Sequence, residues 1–160
     1  MKKKINFLLA GLLLIISFSA VADEMRFQKP YIQLNGGISA GDGLGVSAAA
    51  GVDLNKLLAV EVGSVANFNI FGKDYDIVYL GLLAKHALSD KMVLAGKAGI
   101  TNWSSTSHPV GLAPEKNGVS GMVGLDLKYD FNQSFAAVFS AEYFFKVEAA
   151  PIMLGLRYTF

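Results

Sequence analysis

The sequence predicts an all-β chain, an eight-stranded antiparallel up-and-down transmembrane β-barrel behind an export signal. Three observations carry this. Stretches of roughly ten residues with alternating side-chain character recur along the chain, separated by turn residues. The last stretch, "PIMLGLRYTF", sets Ile152, Leu154, Leu156, Tyr158 and Phe160 at every second position, against Met153, Gly155, Arg157 and Thr159 on the other parity. An apolar ladder running to the final residue needs a surface that wants it, because free chain ends ordinarily fray into water. The third observation is the leader.

Lys2, Lys3 and Lys4 precede an apolar run from Phe7 to Phe18, followed by Ser19, Ala20, Val21 and Ala22. A basic segment, a short apolar segment and an A-x-A site are the layout of a secretory signal peptide, with cleavage between Ala22 and Asp23. An uncleaved anchor is the competing reading, and the run is well short of the ~20 residues that cross a hydrocarbon core as a helix. The expectation is a signal peptide over 1–22, Sec-dependent export, and a barrel domain over 23–160.

Composition excludes several classes. The 14 basic and 13 acidic residues nearly cancel, and removing the leader's three lysines leaves a slight acidic excess, so nothing points to nucleic acid. Cysteine is absent, which rules out disulfides, thiolate metal sites and a lipidated cysteine.

The expected strands are Pro30 to Ser39, Leu44 to Leu54, Leu58 to Phe68, Tyr75 to His86, Met92 to Trp103, Val119 to Tyr129, Ser134 to Phe145, and Pro151 to Phe160. Short links at Asn55-Lys56, Ser89 to Lys91 and Asp130 to Gln133 alternate with Ala40 to Gly43, Asn69 to Asp74, Ser104 to Gly118 and Lys146 to Ala150. Tight turns at one end and freer loops at the other match a small outer-membrane barrel with both termini on the periplasmic side.

The two parities differ in chemistry. One carries Ile32, Leu34, Ile38, Val46, Ala48, Ala50, Val52, Val60, Val62, Phe68, Val119, Val123, Leu125, Leu127, Ala137, Phe139, Ala141 and Tyr143. The other carries Gln33, Asn35, Ser47, Glu61, Lys97, Ser120, Asp126, Lys128, Ser140, Glu142 and Arg157. In "YDIVYLGLLAKH" both parities are apolar, and the faces stay unassigned.

A lipocalin-like barrel also alternates, but it fills its interior with apolar groups and turns its charges outward. The export signal and the terminal ladder favour lipid outside and charges inside. Tyr31, Phe68, Tyr75, Trp103, Tyr129, Phe135, Tyr143, Tyr158 and Phe160 are expected to form interfacial girdles. Closure follows, since an open edge in lipid would strand backbone polar groups.

The run "YLGLLAKHALSDKMVLAGKAGITNWSS" resembles strands four and five of the OmpA-like transmembrane domain. "GLDLKYDFNQSFAAVFSAEYFF" is similar to its strands six and seven, and "LGLRYTF" to its last strand. The resemblance covers nearly all of residues 23–160. It does not extend to the peptidoglycan-binding domain of OmpA itself, since this sequence ends at Phe160. It implies an interior network of opposed charges, with matching positions at Glu61, Lys97, Glu142 and Arg157, joined on the same parity by Asp126 and Lys128. These residues either neutralise one another in a packed lumen or gate a narrow ion path. It also implies that Ile152, Leu154, Leu156, Tyr158 and Phe160 serve as the signal read by the barrel-assembly machinery.

Catalysis is not expected. Small outer-membrane barrels that act on lipid A are known, but a deacylase needs a hydroxyl nucleophile beside a histidine base. The two histidines, His86 and His108, lie outside any His-x-Ser pattern. Asp74 and Asp76 are too few for a calcium cage, and "NGGISAGDGLG" lacks the Lys-Ser/Thr and the helix of a phosphate loop. The expected role is structural or weakly channel-forming, with no cofactor. The expected partners are outer-membrane lipid, lipopolysaccharide and the assembly machinery, and the expected state is a monomer. The alternative is a surface adhesin acting through its outer loops, of which Ser104 to Gly118 has the most reach.

Overall fold

The computed structural model describes residues 28–39, 43–68, 73–107 and 116–160. Its strands are β1 (Gln28–Ser39), β2 (Gly43–Asp53), β3 (Leu58–Phe68), β4 (Lys73–Ala87), β5 (Met92–Ser107), β6 (Lys116–Asp130), β7 (Phe135–Phe144) and β8 (Pro151–Thr159). Each pairs antiparallel with its neighbour in sequence, and β1 pairs with β8 from Tyr31↔Thr159 to Ser39↔Pro151, which closes the barrel. Closure satisfies every ladder, the condition for a sheet to sit in lipid.

Three tight turns share one device. Asn55 Oδ1 accepts from the backbone N–H of Leu57 (2.7 Å) and Leu58 (2.8 Å). Asn132 Oδ1 does the same for Ser134 and Phe135, both at 2.9 Å. Ser89 Oγ accepts from Lys91 (3.3 Å) and Met92 (3.1 Å). A short polar side chain thus caps the turn's own backbone, which is why Asn and Ser stand there.

At the other end the strands run further than their apolar pattern. β5 continues to Ser107 and β6 begins at Lys116, so both ends of the expected irregular stretch Ser104 to Gly118 are strand, with Ser104↔Asn117 and Ser105↔Lys116 in register, and residues 108–115 lie outside the described residues. Ladder bonds come from the backbone and need no apolar side chain, so the polar tails of both strands gave no periodic signal.

The outer face is the apolar one. Leu34, Leu80, Leu82, Ile100, Val119, Leu125, Leu154 and Leu156 are all at least half exposed. Ala50 and Val52 share that parity yet are almost covered. β4, ambiguous in sequence, turns Tyr75, Ile77, Tyr79 and Leu83 inward and Leu80 and Leu82 outward.

The girdle expectation needs correction. Tyr31, Tyr75 and Trp103 point into the barrel: both tyrosines are buried, and Trp103 packs on the interior apolar cluster. Tyr31 shares parity with Gln33 and Trp103 with Lys97, so the pleat sends all four inward. The side chain of Phe68 lies outside the described residues. Of the expected residues, Tyr129, Phe135, Tyr158 and Phe160 stand at the turn end of the outer face, joined there by Phe131, and Tyr143 stands on it toward the loop end beside Phe145. Phe135, Tyr158 and Phe160 stack in sequence with ring centroids 5.0 Å apart at each step.

The lumen is layered. Nearest the loop end, Val65, Ile77, Met122, Phe144 and Met153 form an apolar cluster. The β7–β8 turn folds over it: Val147 packs on the cluster, Glu148 adopts a left-handed φ of 56° and the Lys146 N–H donates to Ser120 Oγ at 3.0 Å. Next comes a charged layer, and below it a small apolar group of Ala59, Leu83 and Ala95.

Candidate luminal charge site

The charged layer is built on register rows in which large side chains alternate with glycine. Tyr31, Gly51, Glu61 and Gly81 are successive partners across β1, β2, β3 and β4. A Cβ at Gly51 would fall on the Tyr31 ring, so the missing side chain is what lets Tyr31 lie across β2. Its hydroxyl then donates to Glu61 Oε2 at 2.9 Å. Tyr79 crosses Gly63, its register partner on β3, in the same way and donates to Glu61 Oε1 at 2.7 Å.

A second row holds Lys97, Gly124 and Glu142 on β5, β6 and β7. Lys97 Nζ donates to Glu142 Oε1 at 2.8 Å, across the strand that offers only glycine there. The same ammonium lies 2.8 Å from Glu61 Oε1 and 3.5 Å from Asp126 Oδ2, and 5.1 Å from the centre of the Tyr79 ring. One buried cation therefore meets three carboxylates.

Arg157 anchors the opposite side. Its Nε and Nη2 donate to Gln33 Oε1 at 2.8 and 2.6 Å, and its guanidinium sits 4.0 Å from the Tyr31 ring centre. Nη2 is 3.7 Å from Glu61 Oε2 and 3.8 Å from Asp126 Oδ2. A polar thread leads on from Gln33 Nε2 to Asn35 Oδ1 (3.1 Å) and from Asn35 Nδ2 to Ser47 Oγ (2.8 Å).

Of the six charged positions expected to share a network, five meet here: Glu61, Lys97, Asp126, Glu142 and Arg157. Lys128 does not. It stands one inward step nearer the turn end on β6 and pairs with both oxygens of Asp130 at 2.8 Å. Inward positions on one strand are about 6.8 Å apart, so Lys128 meets its own strand's next carboxylate first. Lys85 and Asp53 form another pair at that end, 2.7 Å apart. Sequence reasoning missed Tyr31, Tyr79 and Gln33 as members of the network. Parity with Arg157 pointed to Gln33 and to Tyr31, whereas Tyr79 lay on the strand without a readable face.

Among the described residues no histidine belongs to this layer. His86 is exposed on the outer face of β4, opposite Leu94, and His108 lies outside the described residues. Asp74 and Asp76 lie near the loop end of β4, neither of them buried.

Neither a protein-family model nor a curated protein matches the chain. Solved structures do. The N-terminal β-barrel domain of Pseudomonas aeruginosa OprF superposes with a TM-score of 0.70 at 15% identity, over 82% of this chain and 97% of that one. The chain has the fold of the small eight-stranded outer-membrane barrels. The Yersinia pestis outer membrane protein Ail matches at a TM-score of 0.57 and 18% identity, covering 82% of this chain and 99% of that one. A major outer membrane protein from Thermus thermophilus gives 0.58 and 15%, with coverage of 82% and 99%. At such identities the likeness is one of fold.

In this barrel the expected assembly ladder is the outer row of β8. Ile152, Leu154, Leu156 and Phe160 are exposed and Tyr158 is half-buried. The Phe160 N–H donates to Pro30 O at 3.0 Å, which extends the β1–β8 closure to the last residue. The expected cleavage positions Ala20, Ala22 and Asp23 lie outside the described residues.

Proposed function

We propose that the chain is an integral outer-membrane barrel whose role is structural, with at most a weak, gated ion path. The layering of the lumen carries this reading. An eight-stranded interior is just wide enough for side chains to fill, and here a charged layer lies under an apolar cluster roofed by the β7–β8 turn. A steady water column is incompatible with that filling. The thread from Arg157 through Gln33 and Asn35 to Ser47 is the polar route past the apolar cluster. Planar-bilayer recording tests the reading: small, intermittent openings are expected, enlarged by Arg157→Ala, and a large steady conductance from every inserted molecule would contradict it.

The proposal includes export and partners. Cleavage after Ala22 makes Asp23 the first residue in the membrane, to be checked by intact mass, and retention of Lys2 to Lys4 would refute it. Lipid and lipopolysaccharide surround the apolar belt, the assembly machinery reads the β8 ladder, and the barrel is a monomer. We assign it no catalytic step. Unchanged lipid A in the mass spectrum of an overexpressing strain is the expected result.

One observation favours a second reading. β4, β5 and β6 have 15, 16 and 15 residues, whereas the other strands have 9 to 12. The extra length of β5 and β6 stands at the loop end, where their hairpin offers a binding surface, whereas β4 outruns β3 mainly at the turn end. Replacing residues 105–116 by a short turn would abolish surface binding under this reading and leave the structural role intact.

A further inference from the structure

Among the described residues the ionic groups of the lumen fall into three sets. Asp53 with Lys85 and Lys128 with Asp130 are neutral pairs at the turn end. The central set is unbalanced: Glu61, Asp126 and Glu142 face only Lys97 and Arg157. One negative charge is left over in a place shielded from water. An unmatched buried charge draws in a counter-ion, because bare ionisation at low dielectric is far too costly.

The surplus is localised. Both oxygens of Glu61 accept hydrogen bonds, from Tyr31 and Tyr79. By contrast Oδ1 and Oδ2 of Asp126, Oε2 of Glu142 and the Ser140 hydroxyl have no hydrogen-bond partner. These three residues adjoin: Asp126 is the register partner of Ser140, and Glu142 is the next inward residue on β7. Their exposures are 1%, 0% and 6%, so they do not reach bulk water. Lys97 and Arg157 approach Asp126 only at Oδ2, at 3.5 and 3.8 Å, too long for hydrogen bonds.

We propose that Asp126, Ser140 and Glu142 form a binding site for one small monovalent cation of the sodium class, set in the β6–β7 wall beside Lys97. Carboxylate and hydroxyl oxygens are hard donors, suited to alkali and alkaline-earth ions and not to copper or zinc. A single positive charge brings the central set to neutrality. A divalent ion would leave it positive beside two bases, Lys97 and Arg157. Ser140 supplies the independent pointer: a hydroxyl fully buried on the inward face, opposite Asp126, with nothing of the protein to bond.

The test uses the barrel refolded separately in sodium chloride and in choline chloride, at one pH and ionic strength, in phosphatidylcholine vesicles. Choline, a bulky quaternary ammonium with no small hard cation to offer carboxylate and hydroxyl oxygens, supplies ionic strength alone. The thermal unfolding midpoint is expected to rise with sodium concentration relative to choline, as it does when a ligand binds only the folded state. Asp126→Asn, which keeps the shape and removes the surplus charge, should abolish the difference, and Ser140→Ala should diminish it. Excess sodium-23 relaxation in the folded sample should vanish in the same variants. Should Asp126→Asn fail to fold, Ser140→Ala and the relaxation measurement decide. Equal midpoints in both salts would overturn the proposal. So would a sodium effect that survives both variants, a stronger effect of calcium, or a surplus answered by pH alone, which would mean that a proton takes the ion's place.

Discussion

Lys97 and Glu142 occupy one register row with Gly124 between them, and their charged ends meet at 2.8 Å over the bare backbone of β6. The same plan repeats where Tyr31 reaches Glu61 across Gly51. Glycine at the middle strand of a row lets a long side chain lie flat and meet its partner two strands away, so the lumen is spanned by pairs instead of being crowded at every position.

Gly124 is therefore a sensitive position. A Cβ there would stand 3.1 Å from both the Ala141 carbonyl oxygen and Glu142 Cγ, so the β7 backbone must give by a few tenths of an ångström, and Gly124→Ala should cost less than a larger side chain does. Gly124→Val should push Glu142 off Lys97 and destabilise the folded barrel by about 1–3 kcal/mol, the usual cost of overpacking. Urea unfolding in vesicles, followed by tryptophan fluorescence of Trp103, measures the difference. Equal stability of the two variants would show that the row is not tightly filled.

Removing Lys97 should cost more. Lys97→Met leaves three buried carboxylates with only Arg157 nearby, and breaking a buried pair typically costs about 3–5 kcal/mol. Adding Glu142→Gln should recover part of that loss. Arg157 touches Glu61, Asp126 and Gln33 and not Glu142. The pair Arg157→Ala with Glu142→Gln should then show a smaller coupling than Lys97→Met with Glu142→Gln. Spacing in the sequence left these pairings open, and a reversed order of couplings would contradict the geometry.

The fold was legible from one physical regularity, the pleat's period of two. It separated Leu125 from Asp126 and Leu156 from Arg157 without any knowledge of partners, and the family resemblance agreed with it. It failed on β4, because Ile77 and Leu83 fill apolar levels of the lumen and Tyr79 turns its ring inward with them, while Leu80 and Leu82 face outward, so both rows look alike. The rule was also set aside for Tyr31 and Trp103, whose aromatic character suggested the membrane interface although their parity pointed inward. Lys128 was grouped with the network because parity gives the face and not the depth. Depth follows from register, which depends on partner strands that no local pattern identifies. The extension of β5 and β6 through Ser107 and Lys116 was hidden because paired backbone needs no apolar side chain.

The outer face gives a depth-dependent prediction. Leu125, exposed on β6 near the middle of the ladder, should not tolerate charge: Leu125→Arg is expected to cost about 2–4 kcal/mol in a bilayer. Leu57, exposed in the β2–β3 turn, lies at the end, where Leu57→Arg should cost about 0–1 kcal/mol. Both changes are measured by equilibrium unfolding in vesicles. Equal costs would mean that Leu125 does not face hydrocarbon.

The terminal ladder makes a prediction about assembly. Phe160→Ala keeps the backbone bond to Pro30 and removes the ring that stacks on Tyr158. It should lower the amount of barrel inserted in cells far more than Thr159→Ser does. If the ring matters only for packing, both variants should insert equally and Phe160→Ala should show a loss only in unfolding of the purified barrel.

The most direct test of the closed, lipid-embedded barrel is electrophoresis of protein from membranes, loaded unboiled and boiled. With β1 paired to β8 from Tyr31 to Ser39, no strand can peel away without breaking two ladders. The unboiled band should therefore run compactly, and boiling should shift it in one step to the position of the unfolded chain. Identical mobility before and after boiling, in protein extracted from lipid and never heated, would contradict a closed barrel.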